Sequence, residues 1–280
     1  MIDLHCHSTF SDGSSTPEEL IALAEQGGLT ALALTDHDTT SGLDRFFSAA
    51  SNSAVKAVAG IELSAEFGAV ALHILGYFFD PENQTLQESL AWVQSGRAER
   101  NEQMLKKLNA LGYGLSMEAV QAHAGEDVIG RPHFADALIE TGQFKHPKKI
   151  YQQLLGKGKV AYVERRRLSP EKCVELICKA GGVPVIAHPG QMKLTSNKLR
   201  RLARQLKPYG LGGLEVLHPS HHPHQVLALE RICADLDLAP TGGTDFHGRI
   251  TPDLKLGIGF GELVIPDELL EGIRRRLPSL

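Results

Sequence analysis

Leu29-Thr30-Ala31-Leu32-Ala33-Leu34-Thr35-Asp36-His37-Asp38 is an apolar run that ends abruptly in ionisable side chains. Ile2-Asp3-Leu4-His5-Cys6-His7-Ser8-Thr9-Phe10-Ser11-Asp12-Gly13 repeats the design on a shorter scale. Side chains alternate faces along a strand, so His5 and His7 project from the same side. Between the two stretches, Thr16-Pro17-Glu18-Glu19 supplies an N-cap, a proline at the first helical position and acidic residues for the first turn; Gly27-Gly28 then stops the helix. Strand, helix, strand is the opening unit. Working outward, strands are predicted at 56–63, 69–76, 183–187, 211–217 and 239–242, and helices at 43–51, 170–180, 197–207 and 223–235. Apolar strands separated by helices imply a mostly parallel sheet buried on both faces. The fold class is α/β, a distorted barrel.

Ionisable residues recur after or within other apolar runs: Gly60-Ile61-Glu62, Leu72-His73, Ala187-His188-Pro189-Gly190 and Gly243-Thr244-Asp245-Phe246-His247-Gly248. With the first two stretches they make nine candidate metal ligands: His5, His7, Asp12, His37, Glu62, His73, His188, Asp245 and His247. Taken singly, His73 or His188 reads as a satisfied core histidine and Glu62 as a surface carboxylate. Jointly, so many ionisable groups converging on one apolar barrel carry a prohibitive desolvation cost unless they bind cations. In closed parallel sheets active sites gather at the carboxyl ends of the strands, where most of these residues fall. Imidazole and carboxylate without thiolate suit manganese, iron or zinc in an open catalytic site.

At 280 residues the chain has ample core, and 42% hydrophobic with 22% charged residues is a globular balance. A net charge of −4 argues against an indiscriminate nucleic-acid binder. Cys6, Cys173, Cys178 and Cys233 form no CxxC pair and read as reduced thiols of a cytoplasmic protein. No signal peptide is visible, and every apolar run is far shorter than the roughly 20 residues that cross a bilayer. Residues 98–158 break the strand-helix rhythm: helical in pattern and punctuated by Gly112, Gly114, Gly125, Gly130 and Gly142, they read as an insertion positioned over the mouth of a barrel formed by 1–97 and 159–280.

The segments around His5-Cys6-His7 through Ser11-Asp12-Gly13, Thr35-Asp36-His37-Asp38, Gly60-Ile61-Glu62, Ala187-His188-Pro189-Gly190 and Gly243-Thr244-Asp245-Phe246-His247 resemble, in order, the motifs of the PHP (polymerase and histidinol phosphatase) family of amidohydrolase-like phosphoesterases. The resemblance implies a distorted seven-stranded (β/α)7 barrel and three divalent metals, manganese first. His5, His7, Glu62 and Asp245 would hold one; Glu62 would bridge to a second, shared with His73 and His188; Asp12, His37 and His247 would hold the third. Many members carry a histidine where this chain has Asp12. The implied chemistry is attack of a metal-bridging hydroxide on a phosphate ester.

Substrate residues follow from other features. Arg131-Pro132-His133 opens a helix, whose free N–H groups and a nearby guanidinium suit a phosphate. His218, after the strand Glu215-Val216-Leu217, is placed to protonate a leaving oxygen or bind phosphate, and Ser8 to donate to a phosphate oxygen. Asp36 and Asp38 flank His37; one is expected to orient a ligand imidazole and the other to serve a cap or turn. His221, His222 and His224 read as solvated loop residues. Residues 143–167 carry Lys145, Lys148, Lys149, Lys157, Lys159 and Arg165-Arg166-Arg167 against Glu164, either a solvated face or a rim attracting a second phosphate or short RNA, with Phe144, Tyr151 and Tyr162 interleaved for stacking. These features are most similar to the branch of 3′,5′-nucleotide bisphosphate phosphatases and RNA-trimming exonucleases. The expectation is 3′-phosphate removal from a nucleoside 3′,5′-bisphosphate, with 5′→3′ digestion of short RNA, histidinol-phosphate hydrolysis and a non-catalytic polymerase-associated module as alternatives.

Overall fold

The computed structural model describes residues 1–68, 70–124 and 128–278. Seven strands form one sheet in chain order. β1 (Ile2–Cys6), β2 (Ala31–Leu34) and β3 (Lys56–Phe67) run parallel. β4 (Val70–Tyr77) is antiparallel to both neighbours, β3 and β5 (Val183–Ile186), and β6 (Gly213–Leu217) and β7 (Ala239–Gly242) restore the parallel order. The seam between β7 and β1 is stitched by the chain after β7: Asp245 N donates to His5 O at 2.9 Å, and His7 N to Phe246 O at 2.9 Å. The result is a nearly closed barrel, as the motifs imply.

The reversal of β4 has a simple cause. A parallel pair needs a crossover of about a dozen residues, and the step from Phe67 to Val70 permits only a hairpin. Ala69, where a strand is expected to start, lies outside the described residues. The hairpin also lengthens β3 past its predicted end, so Glu62 and His73 sit in mid-strand and not at strand ends. Ser64 pairs with His73 and Glu62 with Leu75, which puts Glu62 and His73 on one face.

Alternation divides the core. Ala31 and Ala33 of β2 join Leu75, Tyr77, Val183 and Val185 in one apolar cluster. Leu32 and Leu34 join a larger one with Leu20 of α1 (Pro17–Gln26), Phe46 of α2 (Leu43–Ala50) and Ile177 of a later helix, 170–179. Along β2 the small alanines face one cluster and the larger leucines the other, which includes residues of the helices around the sheet. α1 begins as its sequence requires, with Thr16 and Glu19 forming a reciprocal capping box.

α3 (Gln84–Ala110) runs unbroken through position 97, so the edge expected at 97/98 falls inside a helix and not in a linker. Beyond it come α4 (Met117–Gln121), α5 (Arg131–Glu140) and α6 (Pro147–Ile150), followed by a π-turn at Tyr151–Leu155. They gather on a third apolar cluster that includes Met104, Leu108, Phe134, Leu138, Ile150 and Leu155. Among the described residues none between 98 and 158 forms a strand; Gly125 lies outside them. The remaining helices are α7 (Pro170–Lys179), α8 (Ser196–Leu206), α9 (Pro223–Leu236) and α10 (Glu268–Arg274). All four cysteines are free, and no helix among the described residues is long and apolar enough to cross a membrane.

Candidate metal and phosphate site

The nine candidate ligands converge at one mouth of the barrel. Three sets have ligand atoms within 4.8 Å of one another: His5, His7, Glu62 and Asp245; His37, Glu62 and His73; and His7, Asp12, His37 and His247. Glu62 is the hub. Its Oε1 lies 2.8 Å from His73 Nδ1 and 2.9 Å from His188 Nε2, and its Oε2 lies 2.9 Å from His37 Nδ1. The groupings differ in detail from those implied by the motifs, because His7 and His37 each belong to two sets, and His188 stands outside the three while its Nε2 meets Glu62 Oε1 at 2.9 Å and His73 Nδ1 at 3.3 Å.

Two glycines let these groups come so close. A Cβ on Gly243 would stand 2.2 Å from His5 Cβ, and one on Gly13 would stand 2.2 Å from His7 O. The turns around the mouth are strained as well: Asp38, His188 and Asp245 all adopt positive φ, an arrangement that surrounding structure must enforce. The electrostatics are mixed in sign. Burial alone would raise the Glu62 carboxyl, but the rings of His73, His37 and His5 outweigh it and hold it well below the carboxylate range. Burial, helped by His247, pushes His7 down to about 3.

The outer supports are not those expected from sequence. Asp36 accepts from Ser8 N at 2.8 Å, Ser8 Oγ at 2.6 Å and Ser11 Oγ at 2.5 Å, so it shapes the loop after β1. Ser8 thereby spends its proton on Asp36 and accepts from Phe10 N, which leaves it no donor for a phosphate. Asp38 pairs with Arg97 and Arg165 and accepts from Ser64 N at 2.7 Å. Burial alone would raise its carboxyl; Arg97 and Arg165 hold it well below the usual range. Neither aspartate hydrogen-bonds an imidazole of the cluster. That task falls to Glu215, fully buried on β6, whose Oε1 accepts from His5 Nδ1 at 3.0 Å while Oε2 accepts from His188 N at 2.5 Å. Asp3, also buried, accepts from Thr244 and Gly257 and pins the turn that carries Asp245. A lone carboxylate in each of two apolar strands was the available signal.

His218 stands at the mouth with Nε2 3.6 Å from Asp245 Oδ2. Ser220 N donates to its Nδ1 at 3.1 Å, so in the neutral ring the proton resides on Nε2, the atom that faces the site. His221 is not a solvated loop residue: its Nδ1 donates to Val216 O at 2.8 Å and its Nε2 accepts from Gly190 N at 3.0 Å, bracing the loop that carries His188. His222 and His224 are exposed, as expected.

Arg131 and His133 open α5, with His133 Nδ1 accepting from the cap residue Gly130 at 3.1 Å. Arg131 donates to Leu155 O and lies about 6 Å from the rings of Tyr151 and Tyr162, so these tyrosines cradle a guanidinium. The basic run divides likewise. Arg165 is half-buried against Asp38, Arg166 pairs with Glu99, and Arg167 and Lys157 share Glu66, whereas Lys145, Lys148, Lys149 and Lys159 are exposed. Between these arginines lies Arg100, which sequence reading passed over. It is 4% exposed and its Nε has no hydrogen-bond partner. Burial and the neighbouring Arg97, Arg165, Arg131 and Arg167 drive its guanidinium down to about 8.

Comparison with known proteins agrees with this geometry. The PHP domain profile matches residues 3–216. The chain is 35% identical over 247 residues to a 3′,5′-nucleoside bisphosphate phosphatase of Chromobacterium violaceum, covering 88% of this chain and 87% of the relative. It is 32% identical over 245 residues to a 5′-3′ exoribonuclease of Haemophilus influenzae, covering 88% and 89%. A solved structure of an amidohydrolase from Chromobacterium violaceum, with bound sulfate and no metal, superposes with a TM-score of 0.88 at 31% identity, the match covering 99% of this chain and 97% of that one. The chain belongs to the PHP domain family of phosphoesterases.

Proposed function

We propose that this phosphoesterase removes the 3′-phosphate from nucleoside 3′,5′-bisphosphates such as adenosine 3′,5′-bisphosphate, using divalent cations, manganese first, at the nine-residue cluster. The donor set fits such ions. His5 Nε2, both ring nitrogens of His7, Asp12 Oδ1, Glu62 Oε2 and His188 Nδ1 are buried without a hydrogen-bond partner, a costly state for polar atoms that cations relieve. When bound, such ions lower the pKa of water toward neutrality and screen phosphoryl charge.

The side chains then have separable tasks. Glu215 fixes the His5 tautomer by accepting from Nδ1, which leaves Nε2 as the donor atom. His218 holds a proton on Nε2 at the rim and delivers it to the departing 3′ oxygen. Asp38 holds Arg97 and Arg165 in place. The observation that carries the bisphosphate reading is Arg100. A buried guanidinium with an unpartnered Nε, set among four others, has no carboxylate partner among the described residues, and a 5′-phosphate supplies a dianion to it. Arg97 ties this group of arginines to the cluster, because its partner Asp38 directly follows His37. Histidinol phosphate has no second phosphate to use it.

The test is product identity. With manganese added, adenosine 3′,5′-bisphosphate should yield 5′-AMP and inorganic phosphate. Release of 3′-AMP would reverse the assigned orientation, and faster turnover of histidinol phosphate would replace the substrate.

A further inference from the structure

His188 leaves β5 with φ 23 and ψ 58, a backbone conformation that a residue with a side chain keeps only where its surroundings impose it. Pro189, next in the chain, has no N–H, so the turn offers few handles. Three are used. His188 N donates to Glu215 Oε2 at 2.5 Å, Gln191 N closes the turn onto His188 O at 2.9 Å, and Gly190 N donates to His221 Nε2 at 3.0 Å. Glu215 lies on β6, and His221 is anchored to the same strand through Val216 O, 2.8 Å from its Nδ1. β6 therefore grips the turn from two sides.

His221 can do this in one form alone. Val216 O has only lone pairs to offer, so Nδ1 must carry the proton; Gly190 N has only a proton to offer, so Nε2 must be bare. The fit is close as well: a Cβ on Gly190 would stand 2.4 Å from His221 Cδ2, so the imidazole lies where Gly190 has no side chain. What the turn delivers is the His188 ring. Its Nε2 lies 2.9 Å from Glu62 Oε1 and 3.3 Å from His73 Nδ1, while its Nδ1 is buried without a partner. A ring aimed by a strained turn loses its aim when the turn relaxes.

We infer that His221 is a positioning residue for the metal centre: by accepting from Gly190 N through Nε2, it holds the turn that aims His188 at a cation shared with Glu62 and His73. This rests on reading the cluster as a metal site and deepens it, because part of the affinity for one cation is assigned to a residue outside the nine.

The two ring nitrogens can be separated by substitution. Asparagine places a polar atom near the Nδ1 position and nothing at Nε2, whereas glutamine reaches the Nε2 position with its carbonyl oxygen and leaves Nδ1 empty. His221→Asn thus keeps the bond to Val216 O, and His221→Gln keeps the acceptor for Gly190 N. Each variant loses one hydrogen bond, so a role confined to stability would treat them alike. The experiment is manganese titration of the metal-stripped protein, with the melting temperature of each metal-free variant measured alongside. Groups that orient a ligand imidazole are worth about 10- to 100-fold in metal affinity, so the weakest manganese bound should lose about 10-fold or more in His221→Asn. His221→Gln should stay close to wild type, although both metal-free variants melt at similar temperatures. Equal affinities in the two variants, whether both retained or both lost, would overturn the inference and leave the metal reading standing. A wild type that takes up no manganese would remove the metal reading and the inference with it.

Discussion

Replacing Arg100 with methionine should stabilise this protein while disabling it. The guanidinium is 4% exposed, and burial together with its arginine neighbours brings it from 12.5 to about 8. At about 1.36 kcal/mol for each pH unit, the folded state bears on the order of 6 kcal/mol to keep this charge in place at neutral pH. Methionine keeps most of the apolar stem and removes the charge. Only part of the strain is recovered, since the site must repack and Arg97 and Arg165 keep each other's repulsion, so a net gain of about 1–3 kcal/mol is expected. For a chain of this size that raises the melting temperature by about 2 to 10 °C. The same change removes a charged hydrogen-bond donor from the 5′-phosphate, about 3 kcal/mol or about 100-fold in kcat/KM. Calorimetry in phosphate-free buffer, beside turnover of adenosine 3′,5′-bisphosphate, reads both. Inorganic phosphate should stabilise wild type and leave the variant unmoved. A variant that melts earlier than wild type, or keeps its kcat/KM, refutes the argument that Arg100 awaits an anion.

Glu215→Gln should lower manganese affinity about 10- to 100-fold, read by metal titration, because the amide puts an NH2 donor where one of the two carboxylate oxygens faced His5 Nδ1 or His188 N. Unchanged affinity would remove Glu215 as the group that orients His5. Asp38→Asn leaves Arg97 and Arg165 buried without a carboxylate and should cost about 3–5 kcal/mol at neutral pH by denaturant titration. Since the folded Asp38 carboxyl lies below its ordinary value of 3.8, its stabilisation is complete above that pH and is lost as pH falls below it. The gap between wild type and variant should therefore close on acidification; a gap that widens would contradict the pairing. His218→Asn should lower kcat by about 100-fold or more with little change in KM, measured by steady-state kinetics, and an equal loss confined to KM would assign it to binding.

The barrel and the gathering of these side chains were largely readable from sequence because most ionisable groups that meet at one mouth recur where apolar runs stop, and loop glycines such as Gly13 and Gly243 travel with them because a Cβ would strike His7 or His5. What escaped reading depended on long-range pairing. Asp38 and Arg165 are 127 positions apart, so nothing local says that this arginine is paired with an aspartate and not part of a solvated basic face. Arg100 lies on a helix of mixed composition, where one more arginine looks solvated; only the arrival of Arg131 and Arg165 from elsewhere makes it an unpaired charge. Glu215 carried a signal that was passed over, since a carboxylate inside an apolar strand has to be satisfied from the barrel interior. The reversal of β4 was legible in principle as well: Gly68 has φ 60, the conformation of a tight hairpin, and separates two strand patterns too closely for a crossover.

The central claim is that the cluster cleaves a 3′-phosphate while the arginine pocket reads a 5′-phosphate on the same molecule. The most direct measurement is the ratio of kcat/KM for adenosine 3′,5′-bisphosphate to that for 3′-AMP, in the manganese-loaded protein. The account predicts a preference of about 100-fold or more for the bisphosphate, from charged hydrogen bonds that 3′-AMP cannot make. A ratio near unity would contradict it and leave Arg100 without a substrate role.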